Sequence, residues 1–257
     1  MKKTLLITLL ALFSAVCFAQ NGGALKFLGI PIDGSEAQFV SQLKTKGFTY
    51  NSTSEAYKGQ FNGRTVDVYV HTNHNLVDRV YVAFPYTSES NILVEFNRLL
   101  AQFKDNAKYM DLVMNEAIPE DEDISYEITV HNKRYSATFH YFDPDADADA
   151  RGYALIDKFQ GVLPDSAITE LKSYMDEYSN MSEEDKALQT EGIEEKIQEA
   201  MGDFDEEKAL LFLVTFMDGM RSLADGEVWF MIHEAYGRYQ IGLYYDNLHN
   251  KPHGEDL

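Results

Sequence analysis

The last 32 residues, Gly226–Leu257 (GEVWFMIHEAYGRYQIGLYYDNLHNKPHGEDL), decide the fold. Apolar residues occupy every second position on either side of a break at Ala235–Gly237: Val228, Phe230, Ile232, Tyr239, Ile241, Leu243 and Tyr245. Alternation with a period of two around a short turn predicts a β-hairpin. β-branched and aromatic residues suit a half-buried pleated surface, so we expect this hairpin to complete a sheet over the core.

Further strands are expected upstream, at residues 57–61, 64–71, 77–84, 126–131 and 134–142. The pair Asn62-Gly63 separates the first two of these runs, and Asn-Gly between alternating runs is a strong hairpin signal. Asn132-Lys133 joins the last two. Together with an extended segment that begins at Phe48, the pattern predicts an antiparallel sheet of about seven strands.

Two helices are expected to pack on this sheet. Ser35 and Gln38 have the spacing of a capping box, and Gly47 ends the helix that follows them. The segment 89–104 carries a wide apolar stripe of the kind that covers a sheet. Strands and helices in this order predict an α+β fold with packed helices.

Between residues 143 and 225 the pattern changes to helical periods and the charge becomes strongly negative. Residues 143–227 contain 23 acidic and 7 basic side chains. Helices are predicted around 168–178, at 182–201 and at 205–223, the last of them apolar on nearly every side and therefore buried. We interpret the chain as a signal peptide (1–19), the first part of a sheet domain (20–142), an acidic helical insertion (143–225) and a terminal hairpin that completes the sheet (226–257).

The N-terminus has the features of a secretory signal peptide. Lys2 and Lys3 precede an apolar run at 5–16, and the small side chains of Cys17 and Ala19 permit cleavage after Ala19. Cys17 also allows an alternative interpretation as the acylated cysteine of a lipoprotein. We therefore expect an exported protein, periplasmic or extracellular, without a membrane span, since no later run approaches about 20 apolar residues.

Composition excludes several classes of function. Cys17 is the only cysteine, so the cleaved chain has no thiol for catalysis, disulfide exchange or zinc ligation. The formal net charge is −20, with 42 acidic against 22 basic side chains. Nucleic acids and anionic membrane surfaces are bound through basic patches, so neither is an expected partner.

An alternating acidic run is a candidate metal site, formed by Asp143, Asp145, Asp147 and Asp149. Carboxylate oxygens are ligands that Ca²⁺ prefers. An EF-hand loop that begins at Asp143 would need Gly at position 148 and Glu at position 154, where alanines stand. The open alternatives are a calcium loop of another type and a solvated hinge that leads into the insertion.

Catalytic signals are weak. The nucleophile elbow, the HExxH zinc motif, the P-loop and the GxGxxG motif are all missing from the sequence. Glu234, beside Tyr236 at the hairpin turn, is a candidate general acid or base only if it is shielded from water. His71 and His74 could bind zinc only if the fold adds a further ligand. An enzymatic role is therefore uncertain and less expected than a binding role.

Tyrosine is the remaining functional signal, with 16 residues in the chain. Exposed tyrosines are typical of protein interfaces and of sugar-binding platforms. The alternative is that Tyr alternates with Val because both are good strand formers. The candidate binding residues are Tyr69, Tyr81, Tyr236, Tyr239 and Tyr244.

Two segments carry a family resemblance. Residues 25–34 (LKFLGIPIDG) precede a helix that ends at Lys46-Gly47-Phe48, and Tyr244-Tyr245-Asp246-Asn247, Asn250 and 254–257 (GEDL) lie near the C-terminus. This arrangement resembles a group of small exported bacterial proteins of uncharacterised function, over residues 25–142 and 228–257. The resemblance implies an exported α+β domain without an assigned activity. Its layout is loosely similar to β-lactamase-inhibitor-like domains, which bind other proteins.

These observations favour an exported, non-catalytic binding or protein-interaction protein, whose partner is another envelope or extracellular protein. The contact surface would be the sheet face or the acidic insertion. The first alternative is a cell-envelope enzyme or carbohydrate-binding accessory protein with a cleft between the insertion and the sheet. The second is a structural module that depends on Ca²⁺.

Overall fold

The computed structural model describes residues 24–143, 146–180 and 206–252. They form two compact units. The sheet unit consists of residues 24–143 and 224–252, and the helical unit of residues 146–180 and 206–223. The predicted signal peptide, the predicted helix at 182–201 and Asp145 lie outside the described residues.

The sheet unit has short strands at its start and long ones at its centre. Its strands are β1 (Lys26–Phe27), β2 (Ile30–Pro31), β3 (Thr49–Asn51), β4 (Ala56–Phe61), β5 (Arg64–Asn73), β6 (Leu76–Ala83), β7 (Tyr109–Met110), β8 (Ser136–Tyr141), β9 (Gly226–Ala235) and β10 (Arg238–Asn247). Its helices are α1 (Glu36–Thr45), α2 (Glu89–Lys104) and α3 (Ile124–His131).

Eight strands form one antiparallel sheet in the order β3-β4-β5-β6-β10-β9-β8-β7, and β1 pairs with β2 separately. The α+β fold predicted from the sequence is therefore confirmed. The terminal hairpin, β9–β10, lies at the centre of this sheet between β6 and β8. Both of its edges are therefore paired with neighbouring strands, and the alternation along β9 and β10 separates a core side from an opposite side.

The core lies on one face of the sheet, against α1 and α2. Phe230 of β9 contacts Phe96 and Phe103 of α2, with ring centroids 5.0 and 5.9 Å apart. Phe39 and Leu43 of α1 are fully buried in the same cluster. The apolar stripe predicted for 89–104 is thus the face of α2 that covers the sheet.

Predictions from capping and turn residues are confirmed where a few neighbouring residues set the backbone conformation. Ser35 and Gln38 form the predicted capping box at the start of α1. Asn62 and Gly63 both have positive φ, at 49° and 74°, as a two-residue turn between antiparallel strands requires. Tyr236 and Gly237 adopt the same left-handed conformation at the tip of β9–β10.

The strand predicted at 126–131 is wrong, because these residues belong to α3. The Asp123 carboxylate accepts a hydrogen bond from Tyr126 N and caps the helix, and Asn132 ends it in a left-handed conformation at φ 52°. Ile124 is completely buried, and Ile128 packs on the same core. Burial of these two residues, four positions apart on one helical face, overrides the strand preference of β-branched side chains.

One asparagine side chain closes the β8 edge of the sheet, and a second ties α2 to the segment before α3. Asn115 receives a hydrogen bond from Thr138 N at 2.9 Å and donates one to Thr138 O at 2.7 Å. Asn97 of α2 makes the same pair of bonds with Ile118, at 2.8 and 2.7 Å. A carboxamide has one acceptor oxygen and two N–H donors. The Asn115 side chain can therefore bond to Thr138 of β8 in place of a neighbouring strand, because β7 has only two residues.

The helical unit contains α4 (Ala148–Lys158), α5 (Asp165–Ser179) and α6 (Glu206–Ser222). The positions of α5 and α6 agree with the predictions for 168–178 and 205–223, whereas α4 is a helix of the insertion that was not predicted individually. The prediction that α6 is buried on nearly every side is wrong. Phe212, Phe216 and Met220 are buried, but the stripe opposite them is exposed: Leu210, Leu211 and Val214.

Within the described ranges, the structure has no helix that is both long enough and apolar enough to span a bilayer.

Candidate functional site

Four aromatic side chains form a line across the face of the sheet that is opposite the core. Tyr69, Tyr81, Tyr244 and Trp229 lie in register on the adjacent strands β5, β6, β10 and β9. We call them the aromatic row. All four are half-buried, whereas their chain neighbours Val68, Val82, Leu243 and Val228 are fully buried in the core. Alternation along each strand therefore assigns the valines and the leucine to the core and the aromatic residues to the opposite, open face.

The rings of the aromatic row stack on one another. Their centroids are 5.4 Å apart for Tyr69–Tyr81, 4.6 Å for Tyr81–Tyr244 and 3.8 Å for Trp229–Tyr244. The planes are inclined by only 21°, 17° and 7°. Both faces of the two inner rings are therefore covered by neighbouring rings. These two rings therefore offer ring edges and phenol oxygens, but no free ring face, to a ligand.

An ion pair beside the row holds it in place. Arg79 of β6 donates two hydrogen bonds to the Asp246 carboxylate of β10, at 2.5 and 2.7 Å. Trp229 Nε1 donates to the same carboxylate at 3.2 Å. The Arg79 guanidinium also lies 5.8 and 5.7 Å from the ring centres of Trp229 and Tyr244, within cation–π range. Three strands are thus tied together around one buried carboxylate.

His233 and Gly242 support the row from the other side. Gly242 has no side chain, and a Cβ there would lie 2.6 Å from His233 Nε2 and 3.0 Å from Tyr81 Cε2. The His233 ring therefore lies over the glycine and places its Nε2 3.2 Å from Tyr244 Oη. Burial lowers the pKa of His233 and raises the pKa of Tyr81 and of Tyr244, so all three groups are neutral near pH 7.

The structure separates the five tyrosines that the sequence nominated. Tyr69, Tyr81 and Tyr244 lie together in the aromatic row, and Tyr236 stands apart at the tip of the hairpin. Tyr239 does not share either surface, because its side chain is only 3% exposed and belongs to the core. Tyr239 follows the inward phase of β10, which the alternation with Ile241 and Leu243 already indicated.

Sequence reasoning missed Trp229 and Arg79 as site residues. Trp229 is the only tryptophan, and its position between the inward residues Val228 and Phe230 assigns it to the open face. That signal was available. For Arg79 there was no comparable signal, because its role depends on pairing with Asp246, 167 residues away in the chain.

The described part of the acidic run does not converge. Asp147 caps α4 by accepting a hydrogen bond from Ala150 N at 3.0 Å, and Asp149 lies in the first turn of that helix. The backbone N–H of Asp143 donates to the Asp225 carboxylate at 2.6 Å. Across residues 24–143, 146–180 and 206–252, no group of three or more His, Cys, Asp or Glu side chains is placed to hold a metal ion. A calcium site that involves Asp145 stays a prediction.

Two of the three other titratable candidates, His71 and Glu234, have structural partners. His71 Nδ1 lies 2.6 Å from the Asp78 carboxylate, and His74 lies in the β5–β6 turn with positive φ. Glu234 is exposed, and its carboxylate accepts a hydrogen bond from Gly237 N at 2.7 Å. Glu234 therefore lacks the shielding from water that a general acid or base role required, and it closes the hairpin turn instead.

Comparison with known proteins returned no matching family model, no matching curated protein and no matching solved structure. The resemblance to small exported bacterial proteins and to β-lactamase-inhibitor-like domains therefore stays a prediction.

Proposed function

We propose that this protein is an exported, non-catalytic binding protein that contacts another protein through the open face of its sheet, around the aromatic row. The observation that carries the proposal is the in-register stack of Tyr69, Tyr81, Tyr244 and Trp229 on the face opposite the core helices. A sheet that needs only one covered face for its core gains solubility from polar residues on the other. Here that position carries large aromatic side chains.

The residue types of the row favour a protein partner. Tyr, Trp and Arg are the side chains that dominate binding energy at protein interfaces. Each ring of the row is already held by its neighbours, and Asp246 holds Arg79 by two hydrogen bonds. Side chains that are ordered before binding lose little conformational entropy when a partner arrives. The row is therefore a preorganised contact surface.

Ring geometry argues for a protein rather than a sugar at the row. A sugar platform needs an aromatic face that is free to stack against a pyranose ring. The inner rings, Tyr81 and Tyr244, have rings on both sides, at 5.4, 4.6 and 3.8 Å between centroids. Ring edges carry positive partial charge, and with phenol oxygens they suit the carbonyl and hydroxyl groups of a protein surface.

An ion pair within the site sets the expected character of binding. The Asp246 anion holds the Arg79 cation, and Lys251 lies 3.8 Å from the same carboxylate. Binding through such a surface depends on packing and neutral hydrogen bonds, and it therefore weakens little when salt rises from 0.05 to about 0.5 M.

The proposal is tested by affinity capture with matched variants. Wild-type protein, the double variant Tyr69→Ala/Tyr81→Ala and the control Tyr50→Ala are immobilised and exposed to a detergent extract of the source cell envelope. Tyr50 is 55% exposed on β3 and lies outside the row. We expect the same protein to bind to wild type and to Tyr50→Ala and to bind at least 10-fold more weakly to the double variant, which corresponds to about 1.4 kcal/mol.

A conservative variant separates loss of binding from loss of fold. Tyr81→Phe keeps the stacked ring and removes only the hydroxyl, so it should retain the fold and lose the part of the affinity that comes from the phenol oxygen. Equal retention of the partner by all variants, or no retained protein at all, contradicts the proposal.

A further inference from the structure

Tyr236 at the tip of the β9–β10 hairpin is the second unusual aromatic residue. Its φ is +53°, and that of Gly237 is +71°. A two-residue hairpin turn with positive φ at both positions favours Asn, Asp or Gly, because a larger side chain clashes with its own backbone there. A tyrosine is therefore the costly choice at the first position of this turn.

The fold gains no burial from this tyrosine. The side chain of Tyr236 is exposed over its whole surface, at 103% of the reference value. The turn itself is closed by the hydrogen bond from Gly237 N to the Glu234 carboxylate. The backbone strain at Tyr236 is not offset by burial of its side chain, which favours a role in binding to another molecule.

The surroundings of Tyr236 are rigid and carry more interface residue types. Arg238 donates to the carbonyl oxygen of Tyr86 at 3.0 Å. Thr87 and Tyr239 exchange two backbone hydrogen bonds, at 2.7 and 3.0 Å, and fix the segment after β6 beside the hairpin. Tyr86 is itself exposed. The tip therefore presents two tyrosines and an arginine on a backbone that is held on both sides.

We propose that Tyr236 is an anchor residue that inserts into a pocket of a partner protein. The pocket has apolar walls for the ring and a hydrogen-bond acceptor at its base for the phenol. This inference rests on the proposed function and adds a second contact to it. Seven residues separate Tyr236 from Trp229 along the hairpin, or about 23 Å at the rise of a strand. A protein interface of ordinary size, about 800 Å² on each partner, spans both sites.

A membrane surface fits the tip less well than a protein does. Interfacial insertion needs a cluster of apolar side chains and is helped by cationic neighbours on anionic lipid. At this tip the charged residue Glu234 lies before Tyr236, and the charged residue Arg238 follows Gly237. The net charge of the chain is −20, which opposes approach to anionic lipid.

The test combines stability with site-specific crosslinking. Tyr236→Asn creates the preferred Asn-Gly turn, so we expect its melting temperature to rise by about 2 °C or more. Benzoylphenylalanine is placed at position 236 and, as the matched control, at the exposed position of Tyr50. Each purified protein is irradiated in a detergent extract of the source cell envelope. We expect an adduct with another protein from position 236 only. Unlabelled wild type should compete for this adduct at a concentration at least 10-fold lower than that of unlabelled Tyr236→Asn.

Several outcomes overturn the inference. The first is that position 236 gives no adduct, and the second is that it gives an adduct with a second copy of this chain. The third is that wild type co-sediments with phosphatidylcholine vesicles and Tyr236→Asn does not. A partner that still binds Tyr236→Asn fully but no longer binds the Tyr69/Tyr81 variant overturns the anchor and leaves the proposed function standing. A partner that binds Tyr236→Asn and the Tyr69/Tyr81 variant as tightly as wild type overturns both the anchor and the proposed function.

Discussion

Asp246 is the residue on which the open face depends most. Its carboxylate is buried, and it accepts hydrogen bonds from Arg79 of β6 and from Trp229 of β9. One side chain therefore joins three strands and fixes the aromatic row. Asp246 also lies in the segment on which the family resemblance was based, so its structural role accounts for one residue of that motif without an activity.

Replacing Asp246 with Asn should lower the free energy of unfolding by about 2 kcal/mol, because the half-buried Arg79 guanidinium loses the charged acceptor of its two hydrogen bonds. Urea unfolding at pH 7 measures this change. The control is Asp218→Asn, which removes an exposed carboxylate 3.2 Å from Arg221 on α6 and should change the same quantity by less than about 0.5 kcal/mol. Equal effects of the two substitutions would mean that the Asp246 pair is not structural.

His233 adds a pH dependence to the same face. Burial lowers its pKa in the folded state below the usual 6.5, so the unfolded chain binds more protons between those two values. The free energy of unfolding should therefore fall as the pH drops from about 7.5 through 6.5 and towards the lowered pKa. Thermal melts of wild type and His233→Gln over this range measure the effect. The variant should show the flatter profile, and parallel profiles would contradict the assignment.

At the scale of elements, side-chain amides decide where the sheet stops. β7 has only two residues, and Asn115 supplies the donor and the acceptor that a longer strand would have offered to Thr138 of β8. The opposite edge, β3, is also short. Short or blocked edges prevent the sheet from pairing with a second copy of itself. The edges of the sheet are therefore distinct from the contact surface that we propose.

Asn115→Ala should leave the N–H and C=O groups of Thr138 without this partner and lower the free energy of unfolding by about 2 kcal/mol. It should also increase self-association, because the edge of β8 becomes accessible. Urea unfolding and sedimentation velocity measure the two effects. Asn106→Ala, which removes only an exposed side-chain oxygen that accepts a hydrogen bond from Lys108 N, is the matched control. A stable, monomeric Asn115→Ala protein would show that the edge is protected by other residues.

At the scale of the whole molecule, the sheet unit closes without residues 144–223. The two ends of that segment meet, since Asp143 N donates to the Asp225 carboxylate at 2.6 Å and Asp225 N donates to Tyr141 O at 2.9 Å. β8 and β9 pair directly over Ser136–Tyr141 and Gly226–Met231. Strands that are neighbours in the sheet and antiparallel need only a short connection.

Replacing residues 144–223 with a Gly/Ser linker of about four residues should therefore leave a folded sheet unit. Trp229 is the only tryptophan and stacks on Tyr244, so its emission spectrum reports directly on the aromatic row. We expect the same emission maximum as in the full chain and a single cooperative unfolding transition. A red-shifted spectrum without a transition would show that the helical unit is required for folding.

Much of this fold was accessible from the sequence because it depends on local rules. Alternation in Gly226–Asn247 predicted the hairpin and its inward side. Turn and capping chemistry at Asn62-Gly63 and Ser35 was correct for the same reason, since it is set within a few residues.

Tertiary structure decided what local rules leave open. The segment 124–131 became a helix because burial of Ile124 and Ile128 outweighed the strand preference of its β-branched residues. The order of strands brought Arg79 to Asp246 and stacked four rings from four strands into one row. Alternation determines which side of a strand each residue occupies, but only the pairing of distant strands determines which residues meet there.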